Sequence, residues 1–408
     1  MRAAAAGRLK RSGARQLQAC GQVEISAPVP ASSDQRGIAM TNKIRPPFRA
    51  DHVGSLLRPA EVHAARAEAA AGAITADELR HVEDAAIAGA VARLEATGMR
   101  SITDGEFRRA WFHLDFLEQL DGVEVTGNIA SSSDSAETVH MTPPKLSVVA
   151  PLRHVRDIQV ADFEYLASVT TQTSKVSIPS PTMVHFRGGR AAIDIDAYPD
   201  LDRFFEDLAA CYRDEIAALY AAGCRYVQLD DTNLAYLCDP VMRQGAIDRG
   251  DDPNELPHAY ALLIKAALAD RPDDLTVAIH LCRGNYRSTW FAEGGYEPVA
   301  EVLFNELQVD AYFLEYDDER SGDFAPLRHV PGDKTVVLGL VTSKRPELES
   351  YDELAARVEQ AAAYLSMGQL CLSPQCGFAS TVEGNALTED EQWAKLAHVV
   401  SVADRIWA

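Results

Sequence analysis

Eight times between Phe48 and the C-terminus, a short β-rich run ends in polar or glycine residues and gives way to a longer segment with helical period. The runs are "ADHVGS" (50–55), "SITDGE" (101–106), "KVSIPS" (175–180), "YVQLDD" (226–231), "TVAIHLC" (276–282), "AYFLEYD" (311–317), "TVVLGLV" (335–341) and "QLCLSPQC" (369–376). This alternation restricts the fold more than any other feature, because strands joined through helices pair in parallel. In "DLDRFFEDLAACYRDEIAALYAAGC", residues Phe204, Leu208, Cys211, Tyr212, Ile216 and Leu219 form one apolar stripe, and Gly223 stands where a C-terminal cap belongs. "RPELESYDELAARVEQAAAYLSMG" has the same character. So does "TEDEQWAKLAHVVSVADRIW", which opens on Thr388 with Glu391 three residues on, a capping-box pattern.

Eight mostly apolar strands with no evident edge predict an α/β fold closed into a (β/α)8 TIM barrel over residues 46–408, with an open doubly wound sheet as the alternative. That span exceeds the ~250 residues typical of such a barrel, so an insertion is expected. It is placed after strand two, where "GNIASSSDSAETVH" (127–140) reads as a polar loop between extended pieces such as "PKLSVVAPL" (144–152), an excursion over the barrel mouth. Residues 1–45 read as a disordered extension: five basic residues and no acid precede Gln22. A start at Met40 would explain the same stretch, and an organellar presequence would be more amphipathic.

The formal charge of −21 gives no electrostatic footprint for nucleic acid and would repel an anionic membrane. No run of ~18 apolar residues is present to span one. Seven cysteines without CxxC spacing or a secretory peptide read as reduced and cytoplasmic. A small-molecule ligand is the expectation.

Active sites of such barrels form at the C-terminal ends of the strands. Here those ends carry Ser55, Glu106, Asp230 with Asp231, His280 with Cys282, Glu315, and Cys376. His280 and Cys282 are two apart, so on a strand they face one side and one ion could touch both. Each group also has a plain reading: a core histidine beside an inert cysteine, a salt-bridged barrel glutamate, a free loop cysteine. The conjunction favours metal, because zinc takes nitrogen and sulfur ligands with a carboxylate acceptable, in a four-coordinate tetrahedron. Two thiolates and a carboxylate leave zinc a formal charge of −1. Such an ion is a poor source of hydroxide but well suited to deprotonating another thiol while leaving it nucleophilic. Glu315 is the ligand expected to weaken as a thiol binds. Glu106 and Asp230 suit an α-ammonium group, and Gly54 with Ser55 suits a carboxylate, unless the acids pair with Arg108, Arg109 or Arg225.

These residues resemble a known family. "ADHVGSLLRP", "TDGEFRRAWF", "VQLDD", "HLCRGN", "FLEYDDERSGDF", "LGLVTSKRPELE" and "LSPQCGF", in that order, are similar to the catalytic C-terminal barrel of cobalamin-independent methionine synthases and their short single-barrel relatives. The resemblance implies a zinc ion on His280, Cys282, Glu315 and Cys376. It implies homocysteine with its sulfur on zinc and its polar end at Ser55, Glu106 and Asp230, and methyl transfer from a methylated folate. Three departures stand out. The chain leaves no length for the second barrel of the full-length synthases, so a methyl-corrinoid protein is an alternative donor. The histidine expected after strand seven aligns with Lys344 or its neighbours. Arg283 and Arg287 are added basic residues suited to an anionic part of a different substrate. The competing readings are a zinc-dependent transferase for another thiol, a metal-free barrel like the related porphyrinogen decarboxylases, and a zinc-storage protein without turnover.

Overall fold

The structure is a computed structural model that describes residues 45–128 and 144–408. The N-terminal extension up to residue 44, and the polar loop from residue 129 to 143, lie outside the described residues. The strands are β1 (Ser101–Ile102), β2 (Asp121–Asn128), β3 (Pro144–Arg153), β4 (Thr173–Ser174), β5 (Val176–Pro179), β6 (Tyr226–Asp231), β7 (Thr276–Leu281), β8 (Ala311–Glu315), β9 (Thr335–Val341) and β10 (Leu370–Pro374). β5 to β10 pair in parallel in sequence order, each with its next neighbour, and β1 pairs in parallel with β4.

The ring closes through residues 49–56. Ala50 bridges Leu372 of β10 in parallel, Asp51 N donates to the Leu372 carbonyl and Leu372 N to that of Arg49. On the other side Leu56 N donates to the Gly105 carbonyl. The expected (β/α)8 barrel is the fold.

Strands one to three are less regular than their sequence suggests. The first, expected at 50–55, has no continuous ladder, because side chains take its carbonyls: Lys175 Nζ donates to His52 O, Ser177 Oγ and Gln228 Nε2 to Val53 O, and Thr103 Oγ1 to Gly54 O. The second pairs only at Ser101–Ile102 and then turns through Gly105 and Glu106, both at positive φ. The third is split at Lys175, whose side chain is fully buried inside the barrel, 3.5 Å from Asp51 and 4.1 Å from the Phe313 ring centre. Every buried main-chain oxygen needs a donor, and polar interior side chains supply it where the ladder does not.

The helix Leu201–Ala221 forms where its apolar stripe required, with Asp200 capping its N-terminus and Gly223 at φ 108°. Phe204, Leu208, Tyr212 and Leu219 have no exposed surface, and burying side chains of this size is worth about 1.5–3 kcal/mol each. A charge at Leu208 would break this packing. Capping boxes at Ser350/Glu353 and Thr388/Glu391 open the helices Tyr351–Ala361 and Glu389–Ile406.

The insertion after strand two is an antiparallel hairpin of β2 and β3, followed by the helix Val160–Val169. The expected excursion over the mouth falls on the loop that lies outside the described residues. Val148 bridges Ile193, and Leu152 N donates to Tyr198 Oη, so its described part leans on the loop before the helix Leu201–Ala221. Among the described residues, no helix is long and apolar enough to cross a membrane.

Candidate active site

At the C-terminal ends of the strands an open cavity gathers residues from six parts of the chain. Its wall includes Ser55, Glu106, Asp230, His280, Cys282 and Cys376. β7 delivers His280 at its penultimate position, Cys282 follows the strand's end, and Cys376 follows β10. One ligand atom from each of these three lies within 4.8 Å of the other two. All three residues are buried, and neither ring nitrogen of His280 has a hydrogen-bond partner. A buried imidazole without partners is costly unless something else takes its nitrogen. One nitrogen and two sulfurs converging around such a ring fit zinc. The Cys376 thiol is held well below its ordinary range by Cys282 first and by His280, whereas Cys282 is pushed up by Cys376 and by burial.

Glu315, the fourth expected ligand, ends β8 but does not join this group. Its Oε1 accepts from Arg320 Nη2 at 2.6 Å and Lys344 Nζ at 3.1 Å, and its Oε2 from the Arg283 main-chain N–H at 2.6 Å. Burial works to raise its pKa, but Lys344, Arg320 and Arg283 outweigh that and hold it at about 2. Lys344, at the position where a histidine was expected, is spent on Glu315 and Asp317.

Another part of the cavity wall is built around Glu106. This residue sits at φ 56°, its N–H bonded to Asp104 Oδ1, and its carboxylate is paired with Arg109. A Cβ on residue 54 would lie 2.6 Å from Glu106 Oε1, so only glycine leaves room there. Asp230 accepts from Gln228 Nε2 at 2.7 Å. Burial first, and then Glu106, push its carboxyl up to about 7. Two close acids, one of them reluctant to ionise alone, make a receptor for a cation.

The family model for the catalytic domain of cobalamin-independent synthases matches residues 48–405. The chain belongs to that family. It is 48% identical over 371 residues to the uncharacterised protein YxjG of Bacillus subtilis, covering 89% of this chain and 96% of that one. A solved structure from Listeria monocytogenes, assigned provisionally as a vitamin-B12-independent methionine synthase, is 40% identical with a TM-score of 0.71, covering 89% of this chain and 98% of that one. The 5-methyltetrahydropteroyltriglutamate–homocysteine methyltransferase of Thermosynechococcus vestitus is 25% identical over 341 residues, which cover 81% of this chain and 40% of that enzyme.

In this cobalamin-independent synthase barrel, the "RGN" that follows Cys282 is a brace. The sequence suggested Arg283 as an anion receptor, but it is fully buried, with Nε donating to Gly294 O and its other nitrogens to Tyr296 Oη, Glu315 O and Ser321 O. Gly284, at φ 86°, passes so close to Phe291 that a Cβ would lie 2.4 Å from it. Asn285 Nδ2 donates to the Gly377 carbonyl and ties the Cys282 loop to the Cys376 loop. Arg287 is exposed. Arg108 and Arg225 serve other acids, Asp84 and Asp274, and only Arg109 takes Glu106.

Sequence reasoning missed a second wall of the cavity, formed by Trp111, Phe112, His113, Arg187, Tyr236 and Tyr286. Arg187 lines the cavity and, among the described residues, makes no hydrogen bond or ion pair. Burial first, and then the charges of Arg187 and Arg109, hold His113 well below the ordinary imidazole range. These residues lie in loops, where no periodicity announces them. A second gathering of ligand types, His154, Asp157 and Glu215, has a structural account: Glu215 accepts from His154 and from the N–H groups of Ile158 and Gln159, which lead into the helix Val160–Val169.

Proposed function

We propose that this barrel methylates the thiol of homocysteine, or of an amino-acid thiol close to it, at a zinc ion held by His280, Cys282 and Cys376. The observation that carries this reading is that Glu106 and Asp230 line the same cavity as the three ligands. A transferase for a coenzyme thiol would share the ligands but has no use for two carboxylates beside them. The names of the Thermosynechococcus and Listeria proteins point the same way.

Zinc at a nitrogen and sulfur donor set supplies acidification of a bound thiol at neutral pH. The chain's own residues do the rest. Glu106, fixed by Arg109, and Asp230, fixed by Gln228, bind the ammonium group and orient the carbon chain. An ammonium group between them favours the ionised form of Asp230. Ser55, whose Oγ accepts from Ala379 N at 3.3 Å, stands beside them for the carboxylate. The aromatic wall of Trp111, Phe112 and Tyr286 excludes water from the reacting sulfur. The sulfur–carbon bond forms as the bond from methyl to its donor breaks, in line, and the donor keeps the electron pair. A methylated folate is the proposed donor and a methyl-corrinoid protein the alternative. The described cysteines are all free and buried, in keeping with a proposed cytoplasmic setting.

The test is direct. Zinc-loaded protein is given L-homocysteine with 5-methyltetrahydrofolate, and separately with methylcobalamin, and methionine is measured. Zinc content near one equivalent, lost in Cys376→Ser, is expected together with methionine from one donor. Bound zinc with no methionine from either, and no rescue of a methionine auxotroph, would move the acceptor to another thiol.

A further inference from the structure

Among the described residues, the cationic side chains of the cavity wall are Arg109 and Arg187. Arg109 pairs with Glu106, whereas Arg187 makes no hydrogen bond or ion pair. We propose that Arg187 forms, together with His113, a subsite for an acidic group of the methyl donor, a carboxylate or a phosphate. This inference rests on the methyl-transfer reading above and narrows its second substrate.

The two residues come from different elements and meet at the wall. Arg187 follows the short helix Met183–Phe186, and His113 precedes the short helix Leu114–Leu117. Arg187 is half-buried and cannot shed its charge, so withdrawing it from water without a partner is costly. His113 is 2% exposed, and its Nδ1 is buried without a hydrogen-bond partner. Such a nitrogen also calls for one. The ring neighbours of His113 are Phe112 at 4.6 Å and Trp111 at 6.4 Å, centre to centre, and neither brings a competing carboxylate. Glu106 and Asp230 line the same cavity but are held by Arg109 and Gln228.

An acidic group satisfies both residues at once. A guanidinium offers a planar fork that matches carboxylate and phosphate geometry, and a neutral imidazole adds one N–H beside it. The aromatic wall lowers the local dielectric and strengthens such a pair. Arg187 also stands on the sulfur side of the cavity. Burial first pushes the Tyr236 phenol up to about 12, and Arg187 opposes that while Cys282 adds to it, so one side chain lies within electrostatic reach of both. The acceptor has no need of this cation. Under the reading above its ammonium meets Glu106 and Asp230 and its carboxylate meets Ser55, so the anion left for Arg187 belongs to the donor.

Calorimetric titration of the metal-free full chain tests the subsite apart from zinc chemistry. The probes are 5-methyltetrahydrofolate, which carries carboxylates, and methylcobalamin, which carries a phosphate. Arg187→Met is expected to weaken the binding of one of them by about 10–100-fold, the worth of a hydrogen bond to a charged group, and to leave the L-homocysteine affinity of the zinc-loaded protein unchanged. His113→Phe, which keeps the bulk of the ring, is expected to weaken the same donor about tenfold. A loss for 5-methyltetrahydrofolate identifies the group as a carboxylate, and a loss for methylcobalamin as a phosphate. Equal donor affinities in wild type and Arg187→Met overturn the proposal, as does a loss confined to L-homocysteine or a wild-type protein that binds neither donor. If Arg187→Met does not fold, salt decides on the wild type: donor affinity that falls steeply with ionic strength supports the ion pair, and affinity indifferent to salt overturns it. Donor binding that depends on Arg187 without any methionine formed would sink the thiol reading alone. Methionine formed by a protein whose Arg187→Met variant binds the donor as tightly as wild type would sink the subsite alone.

Discussion

Gly377 packs so tightly on Ser55 that a Cβ at position 377 would lie 2.0 Å from the Ser55 hydroxyl oxygen and 3.1 Å from its Cβ. Phe378 N donates to the Ser55 carbonyl beside this contact, so the loop carrying Cys376 is zipped onto the end of strand one. Gly377→Ala is expected to cost about 1–3 kcal/mol by overpacking, read by chemical denaturation. Adding Ser55→Gly should recover most of that loss. Additive effects in the double variant would show that the two residues do not press on each other.

Arg187 faces the cavity without a partner, in a wall otherwise aromatic or neutral. An anionic group of a substrate is its natural complement. Arg187→Met is expected to raise KM for that substrate by about 10–100-fold, the worth of a hydrogen bond to a charged group, while metal content stays the same. Steady-state kinetics with each substrate varied in turn will show which one carries the anion. Unchanged KM values for both would exclude the role.

Asp104 is largely buried beside Asp162, and burial first, then that neighbour, push its carboxyl from 3.8 up to about 6. A raised carboxyl pKa means the folded protein holds this proton more tightly than the unfolded chain. The group therefore costs nothing below about pH 4, and its cost grows until about pH 6 and is complete above it. Asp104→Asn should gain about 2 kcal/mol at pH 8 relative to its effect at pH 4, as measured by denaturation at the two pH values. Equal effects at both would show that the aspartate is not strained.

Arg283 and Arg287, four residues apart, should behave oppositely. Arg283→Met breaks a buried network and leaves Glu315 and several carbonyls short of donors, so a loss of about 3–5 kcal/mol or failure to fold is expected. Arg287→Ala, at an exposed position, should stay within about 0.5 kcal/mol. Thermal denaturation of the two variants separates a brace from a surface residue.

The alternation of strand and helix was legible because burial imposes it on every repeat, and six of the eight strands lie where their apolar runs stand. Strands one and two were misread as regular. Lys175, Thr103 and Gln228 replace their ladder with side-chain bonds, a substitution that leaves no mark on hydrophobic pattern. His280, Cys282 and Cys376 were readable as a set because ligand chemistry is written in residue type. Glu315 was readable as a strand-end carboxylate, but its partners were not, since Lys344 and Arg320 meet it only after β8 and β9 pair and their loops fold back. Arg187 and His113 were invisible for a related reason: a loop residue's direction is decided by packing and not by spacing.

The unladdered seam around residues 50–56 gives the barrel wall two kinds of stitching. His280 and Cys282 hang from β7, which is paired on both sides, and Cys376 follows β10, which is paired with β9 on one side and meets the seam at Ala50 on the other, whereas Ser55 and Glu106 stand on the stretch stitched by side chains. Main-chain ladders buried in a core are among the last parts of a protein to open, and stretches without them among the first. The wall is thus stiffer at His280 and Cys282 than at Ser55 and Glu106. Over evolutionary time, such a barrel can reshape the seam while the ladders that carry His280 and Cys282 go untouched.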